Sequence, residues 1–119
     1  SDLELDYILG RLVSALEETG QLENTIIFIT SDNGPEMELW PDSGFSPFRG
    51  AKGSTWEGGM RVPGIFYWKD MISPGRISDG LFDLADLFNT SLALSGAKDQ
   101  MPTDRYIDGI DQNLFLTLQ

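Results

Sequence analysis

The sequence contains neither cysteine nor histidine among its 119 residues. Without cysteine, the chain has no disulfide, no thiolate metal site and no thiol nucleophile. Without histidine, it lacks the commonest general acid–base group and the commonest ligand of transition metals. Any metal that this chain binds must therefore use oxygen ligands, which points to calcium or magnesium.

Basic residues and long apolar runs are also scarce. The chain has 8 Lys and Arg against 19 Asp and Glu, which gives a net charge of -11. Such a surface repels nucleic acid and anionic membranes, and it repels a sulfate or phosphate ester unless a local cationic site overrides the general field. No apolar run reaches the ~18 residues of a membrane span, and no signal-peptide pattern opens the chain. We expect no nucleic-acid partner and no membrane partner.

The first 19 residues predict an amphipathic helix. Ser1 and Glu4 fit a capping box at its start, and Gly20 is placed to end it in a left-handed conformation. The apolar residues recur at the spacing of one helical face, which indicates a helix that buries this face. They are Leu5, Ile8, Leu9, Leu12, Val13 and Leu16.

The rest of the chain predicts two strands, a long loop and a second helix. Short β-branched and aromatic runs without polar alternation are typical of strands buried on both faces. The aromatic residues Phe66, Tyr67 and Trp68 of the second run are assigned to the core. The order of elements predicts an α/β fold in a single domain over residues 1–119. The elements are strands at Thr25–Thr30 and Gly64–Trp68 with a loop between them, a helix from about Leu84 to Ser95, and a short strand or turn within Tyr106–Leu118.

Asp32 and Asn33 follow directly after the first predicted strand. Ligands of open α/β sheets bind beyond the carboxyl ends of the strands. A carboxylate and an amide oxygen held there suit a hard cation, although two residues cannot fill the roughly six to eight positions around calcium. The alternative is a simple turn, since Asp-Asn-Gly is a common turn sequence, and the tripeptide by itself favours the turn.

Lys52 lies between glycines, where its backbone and its ammonium can both approach an anion closely. The glycine spacing does not fit a P-loop, so nucleotide binding is not predicted. The alternative for Lys52 is a solvated loop lysine. Further along the loop, Glu57 and Arg61 are expected to form a bidentate pair that braces the backbone.

Three motifs occur in order along the chain: Thr30-Ser31-Asp32-Asn33-Gly34-Pro35, the run from Lys52 to Pro63, and Asp108-Gly109-Ile110-Asp111. Taken together, they resemble the sulfatase family, which has the alkaline-phosphatase-like fold. The resemblance implies an α/β fold with part of the sulfatase sheet and flanking helices, from the carboxy-terminal portion of a catalytic domain. It also implies that Asp32 and Asn33 bind the active-site calcium and that Lys52 binds the sulfate group of a sulfate ester.

The departures from the family pattern concern catalysis. The family makes its formylglycine nucleophile in a Cys/Ser-x-Pro-x-Arg motif, which this sequence does not contain, so no catalytic residue is assigned. We therefore expect a fragment or truncated relative of a sulfatase that is inactive alone and that associates with itself or with a missing amino-terminal part. Two alternatives stay open, a free-standing non-catalytic binding or assembly protein and a phosphate or phosphonate ester hydrolase of the same superfamily. The sequence does not decide the compartment, and a periplasmic or secreted parent enzyme is compatible with it.

Overall fold

The structure is a computed structural model that describes residues 2–39, 41 and 43–118. The chain divides into two compact units, which we call the helical unit (Ser1–Ile27 with Phe66–Gln119) and the loop unit (Phe28–Ile65). The elements are α1 (Asp2–Glu18), β1 (Ile27–Thr30), α2 (Glu57–Met60), β2 (Gly64–Tyr67), α3 (Asp86–Leu94) and α4 (Asn113–Thr117), with 3₁₀ turns at Leu22–Asn24, Met37–Leu39 and Lys98–Gln100.

The predicted α/β class is confirmed by this mixture of helices and strands. β1 and β2 are hydrogen-bonded neighbours in a two-stranded sheet. Each of these strands, and α3, lies where the sequence pattern predicts it, with ends that differ from the prediction by at most two residues. The local patterns therefore decide where these elements form.

α1 confirms the predicted first helix, and its end follows the predicted scheme. Gly20 adopts a φ of 68°, and its N–H donates to the carbonyl of Glu17 at 3.0 Å. The Thr19 hydroxyl donates to the carbonyl of Ala15 at 2.7 Å. These bonds satisfy carbonyl groups that a helix leaves open at its last turn. The predicted cap at Ser1 lies outside the described residues.

Much of the apolar surface in the described chain is exposed. No residue of α1 is buried, and Leu5 and Leu12 on its apolar face are 57% and 48% exposed. In β2, Ile65 and Tyr67 are 55% and 41% exposed, so the prediction of a strand buried on both faces, with Tyr67 in the core, is wrong there. The pattern marks residues that can be buried; in β2 the Phe66 ring packs edge-to-face on Phe82 at 4.8 Å, whereas Ile65 and Tyr67 stay exposed. Of the four residues of β1, Ile27 alone is buried.

The total accessible surface agrees with this picture. It amounts to 9302 Å² for a chain of 13.2 kDa. A folded monomeric protein of this mass exposes about 6,400 Å². The chain therefore buries less surface than a self-sufficient domain of its size. None of the helices in the described ranges is both long enough and apolar enough to cross a bilayer.

A buried carboxylate fixes α3 to the segment that follows it. Asp86 is 6% exposed, and its oxygens accept hydrogen bonds from the N–H of Ile110 at 2.8 Å, the side-chain amide of Gln112 at 2.8 Å and the N–H of Asp83 at 3.1 Å. Burial by itself raises the pKa of Asp86, but the hydrogen bonds outweigh it and lower the pKa below its ordinary value. Thr90, also buried, accepts from the N–H of Gln112 at 3.0 Å. The region around Ile110 is thus held on α3.

The helix α4 corrects the prediction of a strand or turn within Tyr106–Leu118. The Arg76 guanidinium donates to the carbonyl groups of Phe115 at 2.5 Å, Leu116 at 3.0 Å and Leu118 at 3.2 Å. It also lies 5.3 Å from the centre of the Phe115 ring. A cation that satisfies the last carbonyls stabilises a helix that is too short to be recognised from periodicity.

Replacing Asp86 by Asn should lower the free energy of unfolding by about 2–3 kcal/mol, because the amide puts a donor where the carboxylate accepts buried hydrogen bonds. Urea unfolding followed by tryptophan fluorescence measures the change. Asp104→Asn is the matched control, since the Asp104 carboxylate is exposed and pairs with its neighbour Arg105 at 2.8 Å. The control should leave the midpoint almost unchanged, and an equal loss in both variants would contradict the role of Asp86.

Candidate functional site

The turn after β1 carries Asp32 and Asn33. The Ser31 hydroxyl donates to the carbonyl of Asn33 at 3.0 Å and closes the turn. The side-chain nitrogen of Asn33 donates to the carbonyl of Gly34 at 2.8 Å, so the opposite end of this amide is its oxygen. Asp32 is exposed and Asn33 is half-buried. The turn therefore forms, and it places a carboxylate and an amide oxygen on adjacent residues.

Three buried glycines bring this turn against the loop that carries Lys52. The N–H of Gly34 donates to the carbonyl of Gly59 at 2.8 Å, and the N–H of Gly58 donates to the carbonyl of Arg49 at 2.8 Å. A side chain on Gly34 would collide with the carbonyl group of Gly58. A side chain on Gly58 would come within 2.6 Å of the Arg49 carbonyl oxygen. Backbone thus meets backbone directly, at a distance that only glycine allows.

The Lys52 loop owes its shape to two further glycines. Gly50 and Gly53 have φ values of 87° and 84°, in the left-handed region that other residues rarely adopt. Between them, the N–H of Lys52 donates to the carbonyl of Pro35 at 3.0 Å. The main chain of Lys52 is therefore bonded to the segment that directly follows the Asp32 turn.

The Lys52 ammonium forms an ion pair with Glu36. Its Nζ lies 3.0 Å from Glu36 Oε2, and both side chains are about half exposed. The hydrogen bond and the charge of Glu36 raise the pKa of Lys52, desolvation lowers it, and the charge of Asp32 raises it further. The charge of Asp32 is the smallest of these effects, and Glu36 is the partner that the geometry shows. Lys52 is solvated, as the simpler alternative predicts, but it also has a specific partner.

Glu36 is a residue that the sequence patterns do not single out. Its partner lies 16 positions away along the chain, and the pair joins two irregular segments. Neither helical nor strand periodicity relates such positions. The pair becomes visible only when the glycine contacts have folded the two segments together.

Aromatic and ionic contacts brace the rest of the loop unit. Arg49 lies 4.1 Å from the centre of the Trp56 ring, and Arg61 lies 4.5 Å from that of Phe48. The predicted pair of Glu57 and Arg61 forms, but through one hydrogen bond at 3.1 Å rather than in bidentate geometry. Glu57 also begins α2, a single helical turn inside the segment predicted as a loop. Because glycine disfavours helix, the two glycines of α2 do not suggest a helix in the sequence. These contacts engage both arginines in holding the loop.

An open groove of about 600 Å³ runs beside the turn. Its lining is mostly apolar and includes Phe45, Phe48 and Pro63. Asn33 and Arg61 are among its polar members. The groove can therefore receive the apolar face of an organic group while Asn33 meets a polar part of the same ligand.

The turn after β1 carries side-chain oxygens of the kind that hard cations bind. Throughout residues 2–39, 41 and 43–118, no cluster of three or more acidic side chains could hold a metal ion. Asp32 and Asn33 provide two adjacent oxygen donors, which suit a hard cation but leave most of its coordination positions to other groups. Any such cation needs further ligands from outside these two residues.

Comparison with known proteins places the chain among sulfatases. The sulfatase family model matches residues 3–97. N-acetylgalactosamine-6-sulfatase of Mus musculus is 44% identical over 110 residues, which cover 91% of this chain and 21% of that protein. The steryl-sulfatase of Mus musculus is 40% identical over 114 residues, covering 91% and 18%. The crystal structure of the PsFucS1 sulfatase from Pseudoalteromonas sp. matches with a TM-score of 0.93 and 59% identity, covering 98% of this chain and 23% of that chain.

Each match covers nearly all of this chain but only a small part of the known protein. The chain is covered almost completely, whereas it spans only about a fifth of the length of the curated relatives that it matches. The matching solved structures are sulfatases with the alkaline-phosphatase-like fold, so the predicted fold class is confirmed.

Replacing Gly34 by Ala should loosen the loop unit, because the added methyl group would overlap the Gly58 carbonyl and break the hydrogen bond to Gly59. We expect protection of the Lys52 amide from hydrogen exchange to fall by about tenfold or more. The matched control is Gly44→Ala in the same unit, where a Cβ would have no neighbour within 4 Å. Equal protection of Lys52 in the two variants would argue against the glycine contact as the support of the site.

Proposed function

We propose that this chain, which belongs to the sulfatase family, supplies one side of the catalytic site of a sulfuric ester hydrolase. Asp32 and Asn33 would be ligands of calcium, and Lys52 would contact the sulfate group. The observation that supports this assignment is the hydrogen bonding between two separate segments: the N–H of Lys52 donates to the carbonyl of Pro35 at 3.0 Å and the N–H of Gly34 donates to that of Gly59 at 2.8 Å, which brings the Lys52 loop onto the turn of Asp32 and Asn33. Residues outside these 119 would supply the rest of the site.

The donors present fit calcium in their chemistry. Asp32 offers a carboxylate, and the hydrogen bond from the Asn33 side-chain nitrogen to Gly34 leaves the amide oxygen as the end that can face a cation. Calcium prefers such hard oxygen ligands. When bound, the cation supplies positive charge that stabilises negative charge on the oxygens of the ester.

Lys52 would supply a fixed cationic donor to the sulfate. The ammonium is protonated at neutral pH at its ordinary pKa, and the hydrogen bond and the charge of Glu36 raise that pKa further. An ammonium has three N–H donors, so it can keep one partner and still donate to sulfate oxygens. A positioned charge of this kind stabilises the negative charge that develops as the ester bond breaks.

Catalysis would need groups from elsewhere. The chain has no cysteine, no histidine and no Cys/Ser-x-Pro-x-Arg motif, so it provides neither the nucleophile nor an imidazole acid–base group. We infer that the chain is inactive alone and acts with the amino-terminal part of a sulfatase catalytic domain; association with a second copy of the chain is the alternative. The exposed apolar face of α1 supports such packing, since association buries surface of this kind.

The groove beside Asn33 is the proposed place for the organic part of the ester. It begins at the turn that carries the calcium ligands and continues along Phe45 and Phe48. Aromatic side chains bind the apolar faces of sugar or steroid rings through dispersion and burial. The segment from Pro35 to Phe48 would therefore contribute to the choice of substrate.

A chimera tests the role of Lys52 directly. In it, these 119 residues replace the matching segment of the PsFucS1 sulfatase, which is 59% identical. Turnover is measured with 4-nitrophenyl sulfate, and the unaltered sulfatase provides the reference rate. Lys52→Ala in the chimera should lower kcat by about 100-fold or more, because it removes a positioned charge.

Lys69→Ala is the matched control for that substitution, since Lys69 also forms an exposed ion pair, with Glu23 at 2.9 Å. Its kcat should stay close to that of the chimera. A Lys52→Ala chimera with normal kcat would overturn the assignment. Hydrolysis above background by the 119 residues alone would overturn the interpretation as an inactive fragment.

Calcium binding should depend on residues beyond this chain. In calorimetry, the isolated chain should bind calcium weakly or not at all, because two ligands leave most of the shell to water. The chimera should bind it tightly, and Asp32→Asn should weaken that binding by about tenfold or more. Asp99→Asn is the control at an exposed acidic residue. Tight binding to the isolated monomer would contradict the shared site.

A further inference from the structure

We propose that Glu36 is a positioning residue for Lys52, holding the ammonium where it can donate to the sulfate group of the substrate. This inference rests on the proposed function and goes beyond it, because it gives a role to a residue that neither the sequence patterns nor the family match assigns. Glu36 would not touch the substrate. It would act on the reaction through the direction of the Lys52 side chain.

The geometry ties both ends of Lys52 to two consecutive residues. Its main-chain N–H donates to the carbonyl of Pro35 at 3.0 Å, and its Nζ donates to Glu36 Oε2 at 3.0 Å. Pro35 has a fixed φ because of its ring, and it directly follows the turn of Asp32 and Asn33. Glu36 therefore approaches Lys52 from a backbone that is set relative to the proposed calcium ligands.

A lysine in this setting needs such a restraint. Its four-carbon stem carries about 2 kcal/mol of rotamer entropy. Its neighbours along the chain, Ala51 and Gly53, carry a methyl group and a hydrogen atom, which offer little surface for the stem to pack against. With one N–H held by Glu36, the remaining two can be directed to an anion. The ion pair thus restricts the ammonium without using all of its donors.

The same pair has an electrostatic cost for anion binding. The Glu36 carboxylate lies 3.0 Å from the ammonium and offsets part of its charge, so it weakens the long-range attraction of a sulfate ester. Loss of Glu36 should therefore slow the chemical step, which is read from kcat, without weakening the binding of the anion, which is read from KM. Removing Glu36 should lower kcat, because the ammonium is no longer aligned, and it should not raise KM, because the attraction of the anion increases.

Glu36→Ala and Glu36→Gln in the PsFucS1 chimera separate the two effects. With 4-nitrophenyl sulfate, Glu36→Ala should lower kcat by about tenfold without a rise in KM. Glu36→Gln keeps an acceptor oxygen for the lysine, so its kcat should stay within about threefold of the parent chimera. Glu38→Ala, at an exposed acidic residue of the same segment, is the control and should leave both constants unchanged.

The outcomes distinguish this inference from the proposed function. Normal kcat in Glu36→Ala, equal losses in the Ala and Gln variants, or a raised KM at unchanged kcat would each overturn the positioning role. A Lys52→Ala chimera with normal kcat would overturn the proposed function itself. A slow Lys52→Ala together with a normal Glu36→Ala would leave the function standing and remove only the role of Glu36.

A second measurement on the 119-residue chain does not depend on turnover. The mobility of the Lys52 side chain is read from carbon-13 relaxation at Cε, with Lys69 and Lys98 as internal references. Glu36→Ala should make Lys52 clearly more mobile, whereas Glu36→Gln should leave it restrained, and neither reference should change. Unchanged mobility of Lys52 in Glu36→Ala would overturn the inference.

Discussion

Direct contact between backbones at Gly34, Gly58 and Gly59 is the constraint on which the candidate site depends. It joins a strand-end turn to a loop that is about twenty residues distant in sequence, with the N–H of Gly34 bonded to the carbonyl of Gly59. A side chain at Gly34 would separate the two segments by about the thickness of a methyl group, and one at Gly58 would disturb the Lys52 loop itself, because it would collide with the main chain of Arg49 and Gly50. Because Lys52 lies on one segment and Asp32 on the other, that separation would also move the ammonium away from the carboxylate. On the proposed function, Gly34 is therefore needed for the site as well as for the fold of the loop unit.

The charges of the side chains around Lys52 explain why the proposed site needs a bound cation. The chain carries a net charge of -11, and the Lys52 ammonium lies near two carboxylates, those of Glu36 and Asp32. These three side chains together carry one more negative than positive charge, which by itself opposes the approach of an anion. A bound dication would reverse the sign locally, in a region where the surrounding field opposes anions. On the proposed function, calcium is therefore needed both to bind the anion and to stabilise it.

The sequence predicts those elements whose pattern is local. α1, β1, β2 and α3 all lie close to their predicted positions, because apolar spacing and glycine at a helix end act within a few residues. Prediction fails for α4, since its last carbonyls are satisfied by Arg76, which lies about 40 positions earlier. It also fails for the burial of Tyr67, because a pattern shows which residues can be buried and not whether another layer covers them.

The candidate site also combines features that depend on local sequence with features that depend on contacts between distant residues. The family resemblance singles out Asp32, Asn33 and Lys52 by their motifs, and the turn after β1 follows from the residues themselves. The approach of the two segments depends on how glycines from both of them fit together, which no single motif contains. Glu36 is likewise hidden from sequence analysis, since its proposed role depends on a contact with Lys52 that exists only in the folded loop unit.

Different kinds of contact stabilise the inside of each unit, and this affects how firmly the proposed site is ordered. The buried apolar residues in the described chain are Leu22, Ile27 and Leu116, all of them in the helical unit. The loop unit instead relies on glycine contacts, hydrogen bonds and stacked arginines, while Phe45 stays 65% exposed. Contacts of this kind fix direction well, but each contributes little free energy in water. Packing of further surface over the loop unit would remove water from these contacts and strengthen them, so on the proposed function the alignment of Lys52 should improve when the rest of a catalytic domain packs against it.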